Sequence, residues 1–482
     1  MELNKLFKTD NKTDIKALVS DSRNVVNDSI FFCIEGFSVD RHEFIDQAID
    51  KGAVAIVHSK DVDKKPGISY FKVENVYKEL ERVVDLYFDA PSKKLKIYGV
   101  TGTNGKSTMT STLRHVLNRL GENTGYIGTI SIEYNDKVLE PTLTTPDIIE
   151  MNSILKDMVD AGVTSVALEV SSQGLALNRV DTIDFDTVAF TNLSLEHLDY
   201  HKTMENYYLA KKHLFDLLKE EGVMVVNIDD SYGQRLYDEV NIKNKYSVSL
   251  EKSADYRVDG LNLDKDRSEF NLHVDNKVYP VITNMVAKFN VYNTVEVIAM
   301  LHQSGYDLEK VIAAIENLPS VKGRVNFIDN EQDFNAVVDY SHTPDGFEKI
   351  YTYLKEITSG RLITVYGNAG GRDHSKRPIM GAISAKFCDL LVITEQDRRT
   401  EDVSVIKDEM LRDVKDTPYE FIPKRFDAIY HALSIAEKGD TVVVLGKGDE
   451  RFQHGPEGLE AWPGDDKVVY DILQTLKEKN NK

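Results

Sequence analysis

Short apolar runs alternate with amphipathic segments along most of the chain. Near the N-terminus, the pattern predicts strands at SIFFCIEG, AVAIVHS and ISYFKV. It predicts helices at HEFIDQAIDKG and YKELERVVDLYF. Further apolar runs, again with helical patterns between them, occupy residues 165–170, 187–193, 223–229, 336–341, 362–367, 390–395 and 441–446. This alternation is typical of α/β folds built on parallel sheets.

One stretch, residues 256–282, departs from this pattern. Phe270, Leu272 and Val274 alternate with polar residues and lead into an Asp-Asn pair at 275–276. Alternation with period two that ends at such a pair favours an antiparallel hairpin. We therefore predict an antiparallel excursion within an otherwise parallel arrangement.

Two segments indicate domain boundaries. The first is DAPSKK (89–94), where a proline is followed by lysines, and the second is LPSVKGR (318–324). At 482 residues the chain is too long for a single core. We predict three α/β domains over residues 1–93, 94–320 and 321–482.

Composition limits the possible partners. The net charge of −20 argues against nucleic acid and against a membrane surface, since both favour basic proteins. No stretch approaches the ~20 apolar residues of a membrane span. Cys33 and Cys388 lie in separate apolar runs, which favours buried free thiols in a reducing compartment. We expect a cytoplasmic monomer.

The segment YGVTGTNGKST (98–108) has the pattern of a phosphate-binding loop. An apolar strand enters a glycine-rich turn, and an amphipathic helix follows, so backbone amides and the helix N-terminus can converge on phosphate oxygens. Lys106 would contact the β- and γ-phosphates, and Ser107 or Thr108 would bind Mg²⁺. Val100 stands where the common pattern has glycine. This motif alone leaves kinases, motors, switch GTPases and ligases open.

A second group of candidate residues follows two buried strands. Glu169 ends one strand, and just beyond the other stand Glu196, His197, Asp199 and His201. Strand ends in parallel sheets are where ligands bind, so a carboxylate and an imidazole here favour a divalent cation. The helix ENYYLAKKHLF carries two adjacent lysines, which point about 100° apart, so we expect at most one to face the site.

Eight motifs extend the pattern over nearly the whole chain. They are GTNGKST, EVSSQGLALNR, FTNLSLEHLDYH, AKKHLF, KFNVYN, KGR, VVDYSHTPDG and GRDHSKRP, in that order. The sequence resembles the Mur ligases, ATP-dependent enzymes that form amide bonds in peptidoglycan synthesis, and within them the tripeptide synthetases. That resemblance implies a UDP-substrate-binding N-terminal α/β domain. It also implies a central P-loop ATPase-like parallel-sheet domain and a Rossmann-like C-terminal domain for the incoming amino acid.

The resemblance also implies an activity: addition of a third residue to UDP-N-acetylmuramoyl-L-alanyl-D-glutamate through an acyl phosphate. The ATP contacts would be Gly102, Thr103, Asn104, Gly105, Lys106, Ser107, Thr108, Asn290, Asn293, Arg324, Asp339 and His342. Catalysis would depend on Lys106, Glu169, His197 and Lys211. Two Mg²⁺ ions would be held by Ser107, Glu169, His197 and Lys211. CO₂ would convert Lys211 to N6-carboxylysine, because a carbamate offers Mg²⁺ the oxygen ligands that an ammonium lacks.

Two further sets of contacts follow from the same resemblance. The uridine nucleotide and the muramoyl dipeptide would contact Ser22, the turn at 36–39, Thr144, Thr145, Pro146, Ser171 and Arg179. Gln173 replaces a histidine that is common in the family. The incoming amino acid would contact Arg372, Gln396, Asp397, Arg398, Arg399, Gly446 and Glu450.

The charged stretch TEQDRRTED (394–402) bears on which amino acid is added. Diaminopimelate-adding relatives have Asp-Asn-Pro-Arg where this chain has Gln-Asp-Arg-Arg at 396–399. Arg399 favours meso-diaminopimelate, since lysine has no second carboxylate to pair with it. Asp397 adds an anion, and the proline of those relatives is absent. Both differences weigh against a standard diaminopimelate-binding loop. Meso-diaminopimelate and L-lysine both remain open, as does another amine.

Three other functions compete with this interpretation. A folylpolyglutamate synthetase-like ligase would share the central domain, but the N-terminal DSR and FFCIEG segments argue against it. A switch GTPase or motor would not need a third α/β domain or Lys211. A catalytically idle paralogue acting as a binding protein is disfavoured because Lys106, Glu169 and His197 are all present.

Overall fold

The computed structural model describes residues 1–35, 39–319 and 321–480. Its first sheet has four parallel strands in the order β1-β2-β3-β4: Ala17–Val19, Ser29–Phe32, Ala53–His58 and Ser69–Lys72. Its helices are α1 (Leu3–Leu6), α2 (Ile45–Asp50) and α3 (Val76–Phe88), with 3₁₀ turns at Ser22–Asn24, Arg41–Phe44 and Pro91–Lys94. The Asn75 side chain caps α3 by accepting from the backbone N–H groups of Tyr77 and Lys78.

The central domain is built on an eleven-stranded sheet in the order β15-β14-β13-β12-β11-β10-β5-β9-β6-β7-β8. Its strands β5–β15 are Lys96–Thr101, Thr124–Ile127, Ile132–Tyr134, Lys137–Leu139, Ser165–Glu169, Phe185–Phe190, Leu218–Asn227, Asn244–Ser249, Tyr256–Leu263, Ser268–Val274 and Lys277–Thr283. Helices α4–α11 are Lys106–Arg119, Ile148–Asp160, Ser172–Ala176, Leu198–His201, Met204–Asp216, Ser231–Glu239, Lys288–Gln303 and Leu308–Ile315.

Two apolar layers cover the two faces of this sheet. One layer contains Met109 and Leu113 of α4 with Val291 and Val295 of α10, and the other is built on α5 and α8. The strands β5, β9 and β10 are buried on both faces, as near-continuous apolar runs in parallel sheets require. Their carboxyl ends therefore meet at one edge, where the candidate residues lie.

The C-terminal domain contains a six-stranded sheet in the order β16-β17-β21-β18-β19-β20. Strands β16–β23 are Asn326–Phe327, Asn335–Asp339, Leu362–Tyr366, Leu390–Ile393, Tyr419–Phe421, Thr441–Leu445, Phe452–Gly455 and Gly458–Ala461, the last two forming a separate hairpin. Helices α12–α16 are Pro344–Ile357, Lys376–Phe387, Val403–Leu411, Arg425–Ser434 and Asp465–Asn480. All of its main-sheet pairings are parallel except β16 with β17.

The α/β architecture predicted from the sequence is confirmed. The excursion at 256–282 is antiparallel, and Asp275 and Asn276 have positive φ values of 51° and 61°, as a tight hairpin turn requires. Cys33 and Cys388 are buried free thiols. The three main sheets fall within the predicted domain ranges 1–93, 94–320 and 321–482, and those boundaries stay predictions. Among the described helices, none is long and apolar enough to cross a membrane.

Candidate active site

The phosphate loop joins the end of β5 to the start of α4. Gly102 and Gly105 have φ values of +151° and +91°, in a region that L side chains rarely adopt. A Cβ at Gly105 would lie 2.5 Å from Asn293 Oδ1, so the loop and α10 pack closely. The Lys106 ammonium donates to the carbonyl oxygens of Gly102 (3.0 Å) and Thr103 (2.9 Å). Burial lowers the pKa of Lys106 below its usual value.

Glu169 lies at the end of β9 in the centre of a donor cluster. Ser107 Oγ donates to its Oε2 (3.0 Å), and Tyr126 OH donates to its Oε1 (2.7 Å). The backbone N–H of Thr129 donates to Oε1 of Glu169 and its hydroxyl donates to Oε2, each at 3.1 Å. A Cβ at Gly128 would come within 2.3 Å of Oε1, so only glycine leaves room for the carboxylate there. Glu169 is thus fully buried and fixed beside the first turn of α4.

His197 precedes α7 with a left-handed backbone, φ 57°. Burial lowers the pKa of its imidazole to about 3, although the neighbouring Glu196 opposes that shift. The ring is therefore neutral near pH 7 and can offer a lone pair. His201, a turn away, hydrogen-bonds through Nε2 to Ser172 Oγ (2.9 Å), and burial lowers its pKa to about 4.

The two adjacent lysines of α8 point in different directions. Lys211 is 1% exposed, and its amine donates to the Gly102 carbonyl (2.7 Å) behind the phosphate loop. Lys212 instead points outward and pairs with Glu239 at 2.7 Å. Burial and the nearby Lys106 charge lower the pKa of Lys211 far below its usual value. One of the two lysines therefore points inward, behind the phosphate loop, and the other points to solvent.

A cavity of about 690 Å³ lies in front of the phosphate loop, between the central and C-terminal domains. Of the predicted ATP contacts, the loop from Thr103 to Thr108, Asn290, Asn293, Arg324, Asp339 and His342 line it. Glu169, His197, Thr144 and Ser171 also line it, whereas Gly102 and Lys211 lie behind the loop. Burial lowers the pKa of His342 to about 3, so this ring is neutral too.

Direct contacts join the two domains across the cavity. Arg324 Nη2 donates to Ser107 Oγ (3.1 Å), and its guanidinium stacks 4.3 Å from the centre of the Tyr340 ring. Lys376 forms a buried ion pair with Glu196 at 3.2 Å and also donates to the His342 carbonyl oxygen (2.9 Å). These bonds bring the C-terminal domain against the phosphate loop.

The residues predicted to hold the muramoyl dipeptide form a connected group beside Glu169. The Thr145 hydroxyl donates to the Glu169 carbonyl oxygen (3.0 Å) and to Ser171 Oγ (3.1 Å), and Arg179 donates to the Thr145 carbonyl oxygen (3.0 Å). Thr144 Oγ1 lies 3.0 Å from Thr129 Oγ1. Ser22, another predicted contact with this substrate, lies in the N-terminal domain, where its hydroxyl donates to Gln47 Oε1 (2.7 Å). Of the predicted turn at 36–39, residues 36–38 lie outside the described residues.

The loop at 394–402 is fixed by hydrogen bonds to neighbouring segments of the protein. The Gln396 amide donates to the Gly446 carbonyl oxygen (2.9 Å). Asp397 accepts from the backbone N–H of His454 (2.8 Å), and the N–H of Arg399 donates to the His454 carbonyl oxygen (2.8 Å). Asp397 and Arg399 both have positive φ, 45° and 50°.

Three of the predicted amino-acid contacts are arginines, and each has its own partner. A guanidinium N–H of Arg399 donates to the Gly370 carbonyl oxygen (2.8 Å). Burial, and then the positive charge of Arg372, lower the pKa of Arg399. Arg372 is half exposed and lies 3.9 Å from Asp199 of the central domain. Arg398 lies 3.7 Å from Glu395 and is partly exposed.

Three family models match the chain along its length. They are described as Mur ligase family, catalytic domain (residues 14–85), Mur ligase middle domain (100–301) and Mur ligase, glutamate ligase domain (323–448). A Clostridium acetobutylicum protein named UDP-N-acetylmuramoyl-L-alanyl-D-glutamate–2,6-diaminopimelate ligase 1 is 40% identical over 92% of each chain. The chain belongs to the Mur ligase family.

Two further relatives agree with this assignment. A Clostridium botulinum protein named UDP-N-acetylmuramoyl-L-alanyl-D-glutamate–2,6-diaminopimelate ligase is 38% identical over 93% of each chain. The solved structure of a protein with that same name matches with a TM-score of 0.69 and 26% identity, covering 99% of both chains. The likeness spans all three Mur ligase domains.

Sequence reasoning missed Lys447 of this Mur ligase. Its side chain is fully buried and pairs with Asp397 at 3.1 Å and with Glu450. Tyr340 OH also donates to Glu450 (3.0 Å), and burial raises the pKa of the Glu450 carboxyl. Asp397 therefore has a cationic partner inside the protein, which it shares with Glu450. Lys447 stands between the predicted contacts Gly446 and Glu450, and a lysine at that position was the available signal.

The sequence also did not predict the ion pair between Lys376 and Glu196. Both residues stand in the motifs GRDHSKRP and FTNLSLEHLDYH, but they are 180 positions apart. Asn104 and Asp345 form a second unpredicted interdomain bond, with the amide donating at 2.8 Å. Contacts across such distances depend on how the domains dock, which motif spacing does not specify.

Proposed function

We propose that this Mur ligase uses ATP to join meso-diaminopimelate to the D-glutamate carboxyl of UDP-N-acetylmuramoyl-L-alanyl-D-glutamate. The observation that carries the proposal is the composition of the central cavity. The phosphate loop, which carries Lys106, forms one wall of the cavity. Glu169 and His197 form its floor, and Arg324 reaches it from the C-terminal domain. The names of relatives at 38–40% identity supply the substrates.

The reaction would proceed in two steps. The substrate carboxylate attacks the γ-phosphorus of ATP, which forms an acyl phosphate and releases ADP. The amine of the incoming residue then attacks the acyl carbon, inorganic phosphate leaves, and the amine loses a proton. Lys106 and Arg324 would offset the negative charge that develops on the transferred phosphoryl group. Contacts between the domains would limit access of water to the acyl phosphate.

The donors present suit Mg²⁺. The hydroxyl of Ser107, the carboxylate of Glu169 and the neutral imidazole of His197 are available ligand types, and the pKa of His197, about 3, keeps that ring free of a competing proton. We assign these three residues, with Lys211, to two magnesium sites. Bound Mg²⁺ supplies charge neutralisation and orientation of the phosphate oxygens.

Lys211 would contribute to these sites as a carbamate. Burial lowers the pKa of this lysine and so favours the free amine, which is the form that attacks CO₂ to give a carbamate anion and one proton. The product would add oxygen ligands close to Gly102, whose carbonyl the amine now contacts. Lys212, paired with Glu239 on the surface, would not take part.

Two observations favour diaminopimelate over lysine as the added residue. Arg399 donates to the carbonyl oxygen of Gly370, two residues before Arg372, so the two guanidinium groups would offer two carboxylate-binding positions. Asp397, which weighed against this choice, is paired with the buried ammonium of Lys447, which it shares with Glu450. We also propose that the enzyme is a monomer and that it lies in the cytoplasm.

Phosphate release tests the proposal. Release from ATP should require both UDP-N-acetylmuramoyl-L-alanyl-D-glutamate and an amino acid, and meso-diaminopimelate should give the highest kcat/KM in a panel with L-lysine, L-ornithine and D-isomers. Arg399→Lys should lose most of its preference for diaminopimelate, because an ammonium cannot replace the guanidinium fork. ATP turnover that ignores the muramoyl dipeptide would exclude the tripeptide-synthetase function.

A further inference from the structure

Lys447 follows the end of β21 and joins three segments of the C-terminal domain. Its side chain is 0% exposed. Its ammonium donates to both carboxylate oxygens of Asp397 (3.1 and 3.2 Å), in the loop at 394–402, and to Glu450 Oε2. It also lies 5.1 Å from the centre of the Phe452 ring, in the hairpin of β22 and β23. Two carboxylates therefore share one buried cation.

The two carboxylates differ in what they can still offer a ligand. Asp397 is 14% exposed, and its Oδ1 accepts from the backbone N–H of His454 (2.8 Å) as well as from Lys447. Glu450 is 23% exposed, and each of its oxygens accepts one hydrogen bond, Oε1 from Tyr340 OH (3.0 Å) and Oε2 from Lys447. A carboxylate has about four acceptor positions, so among the described residues Glu450 keeps one on each oxygen.

The carbonyl of Gly446, another predicted contact of the incoming amino acid, is already engaged. It accepts from the side-chain amide of Gln396 (2.9 Å). A Cβ at Gly446 would lie 2.3 Å from Gln396 Oε1, so the end of β21 and the loop at 394–402 pack closely. Among the predicted contacts at this end of the pocket, Glu450 is therefore the best placed to accept from an ammonium group.

We infer that Lys447 is a positioning residue for the incoming amino acid. It holds Glu450 as an oriented carboxylate, and Glu450 accepts from the distal ammonium of the diamino acid. Asp397 acts through Lys447, because it shares that cation and joins the loop to the hairpin. The inference rests on the proposed function, which assigns this pocket to the amino acid, and it gives the two carboxylates different roles.

The charges that face Glu450 are consistent with this role. Burial and the carboxylate of Asp397 raise the pKa of Glu450, whereas the charge and hydrogen bond of Lys447 and the hydroxyl of Tyr340 lower it. Burial lowers the pKa of His454, which faces Asp397 from β22, so its ring is neutral near pH 7. Lys447 is the cation among these groups. Without it, two carboxylates would face each other and the pKa of Glu450 would rise further.

Steady-state kinetics of Lys447→Met in the full-length enzyme tests the inference. Phosphate release is followed while meso-diaminopimelate and ATP are varied in turn at saturating muramoyl dipeptide. At pH 7 the KM for meso-diaminopimelate should rise at least about tenfold, because Glu450 loses one of its two orienting donors. The KM for ATP and the kcat at saturating amino acid should stay within about twofold of the wild type.

The pH dependence of that KM separates positioning from general damage. In Lys447→Met, Glu450 takes up a proton at higher pH than in the wild type, and a neutral carboxyl binds an ammonium weakly. The ratio of the variant's KM to the wild-type KM should therefore fall about tenfold between pH 6 and pH 8. Lys447→Met with Asp397→Asn removes the opposing carboxylate, so this fall should shrink while the KM stays raised.

Arg361→Met is the matched control. Arg361 pairs at 2.7 Å with Asp440, which is buried at the other end of β21. The loss of this pair should lower the Tm, but it should leave the KM for meso-diaminopimelate unchanged at every pH.

A KM for meso-diaminopimelate within threefold of the wild type in Lys447→Met, or a raised KM with no pH dependence beyond that of the wild type, would overturn the inference. If Lys447→Met fails to fold, the double variant decides, since it has one unpaired carboxylate fewer, and a wild-type KM there contradicts the role of Lys447. Failure of the proposed function is recognised separately. In that case the wild-type enzyme itself releases no phosphate in response to meso-diaminopimelate and the muramoyl dipeptide.

Discussion

The buried ion pair between Lys376 and Glu196 should hold the C-terminal domain against the phosphate loop. Their side chains are 7% and 9% exposed, and the two charged groups lie 3.2 Å apart. Lys376→Met removes the cation but keeps most of the stem, which leaves a buried unpaired carboxylate. Breaking a buried pair in this way costs about 3–5 kcal/mol.

Most of that cost should appear as domain separation rather than unfolding. The pair joins two domains, so Glu196 regains water as soon as they part, without either core being exposed. At about 1.4 kcal/mol per factor of ten, even 3 kcal/mol shifts the balance between docked and separated domains by roughly 100-fold. We therefore expect Lys376→Met to lower kcat strongly while its Tm changes little.

Single-molecule energy transfer between dyes on the central and C-terminal domains measures this balance, alongside kcat and thermal unfolding. Lys386→Met is the matched control, because Lys386 pairs with Glu348 at 3.0 Å on the surface of a single domain, where such pairs contribute about 0–1 kcal/mol. The double variant Lys376→Met with Glu196→Gln should recover part of the docked population. If Lys376→Met keeps the wild-type distance distribution and a kcat within twofold, the pair does not control docking.

Three further outcomes are expected. Lys211→Ala should lose at least about 100-fold in kcat, with partial rescue by formate, while Lys212→Ala stays near wild type; equal losses in phosphate-release assays would contradict the choice of lysine. Arg425→Met should lower the free energy of unfolding of its domain by about 3–5 kcal/mol in urea titrations, since its guanidinium and carboxylate partner are both 0% exposed; a loss below 1 kcal/mol would refute this. Gly370→Ala would place a Cβ 2.0 Å from the Arg398 carbonyl oxygen, so the KM for the amino acid should rise while the KM for ATP does not.

Much of the fold follows from local patterns in the sequence. The apolar runs at 165–170 and 223–229 became central strands because a strand buried on both faces needs apolar side chains throughout. The phosphate loop could be located because its glycines meet a backbone requirement, seen in the positive φ of Gly102 and Gly105. These features depend on neighbours in sequence, so one sequence suffices to find them.

The partners of individual charges could not be predicted in the same way. Asp397 looked like an unpaired anion among the predicted amino-acid contacts, but Lys447, fifty positions away, pairs with it. Glu296 stands as a single acid in an apolar helix, and its position alone does not say whether a cation or another acid lies beside it. Such relations arise when strand ends and loops from distant segments meet, and the charge of each group depends on that assembly.

The pairing of the 394–402 loop with the hairpin of β22 and β23 bears on how the enzyme's specificity can evolve. Asp397 and Arg399 both bond to the backbone of His454, and Arg399 does so through its own backbone. Because the neighbouring hairpin fixes the backbone of this loop, the loop does not need a proline to keep its shape. This explains how arginine can stand at position 398. Side chains there can therefore be exchanged while the loop keeps its course. With this loop assigned to the incoming amino acid, as we propose, a change of substrate would need few substitutions, because the backbone that carries them is already held in place.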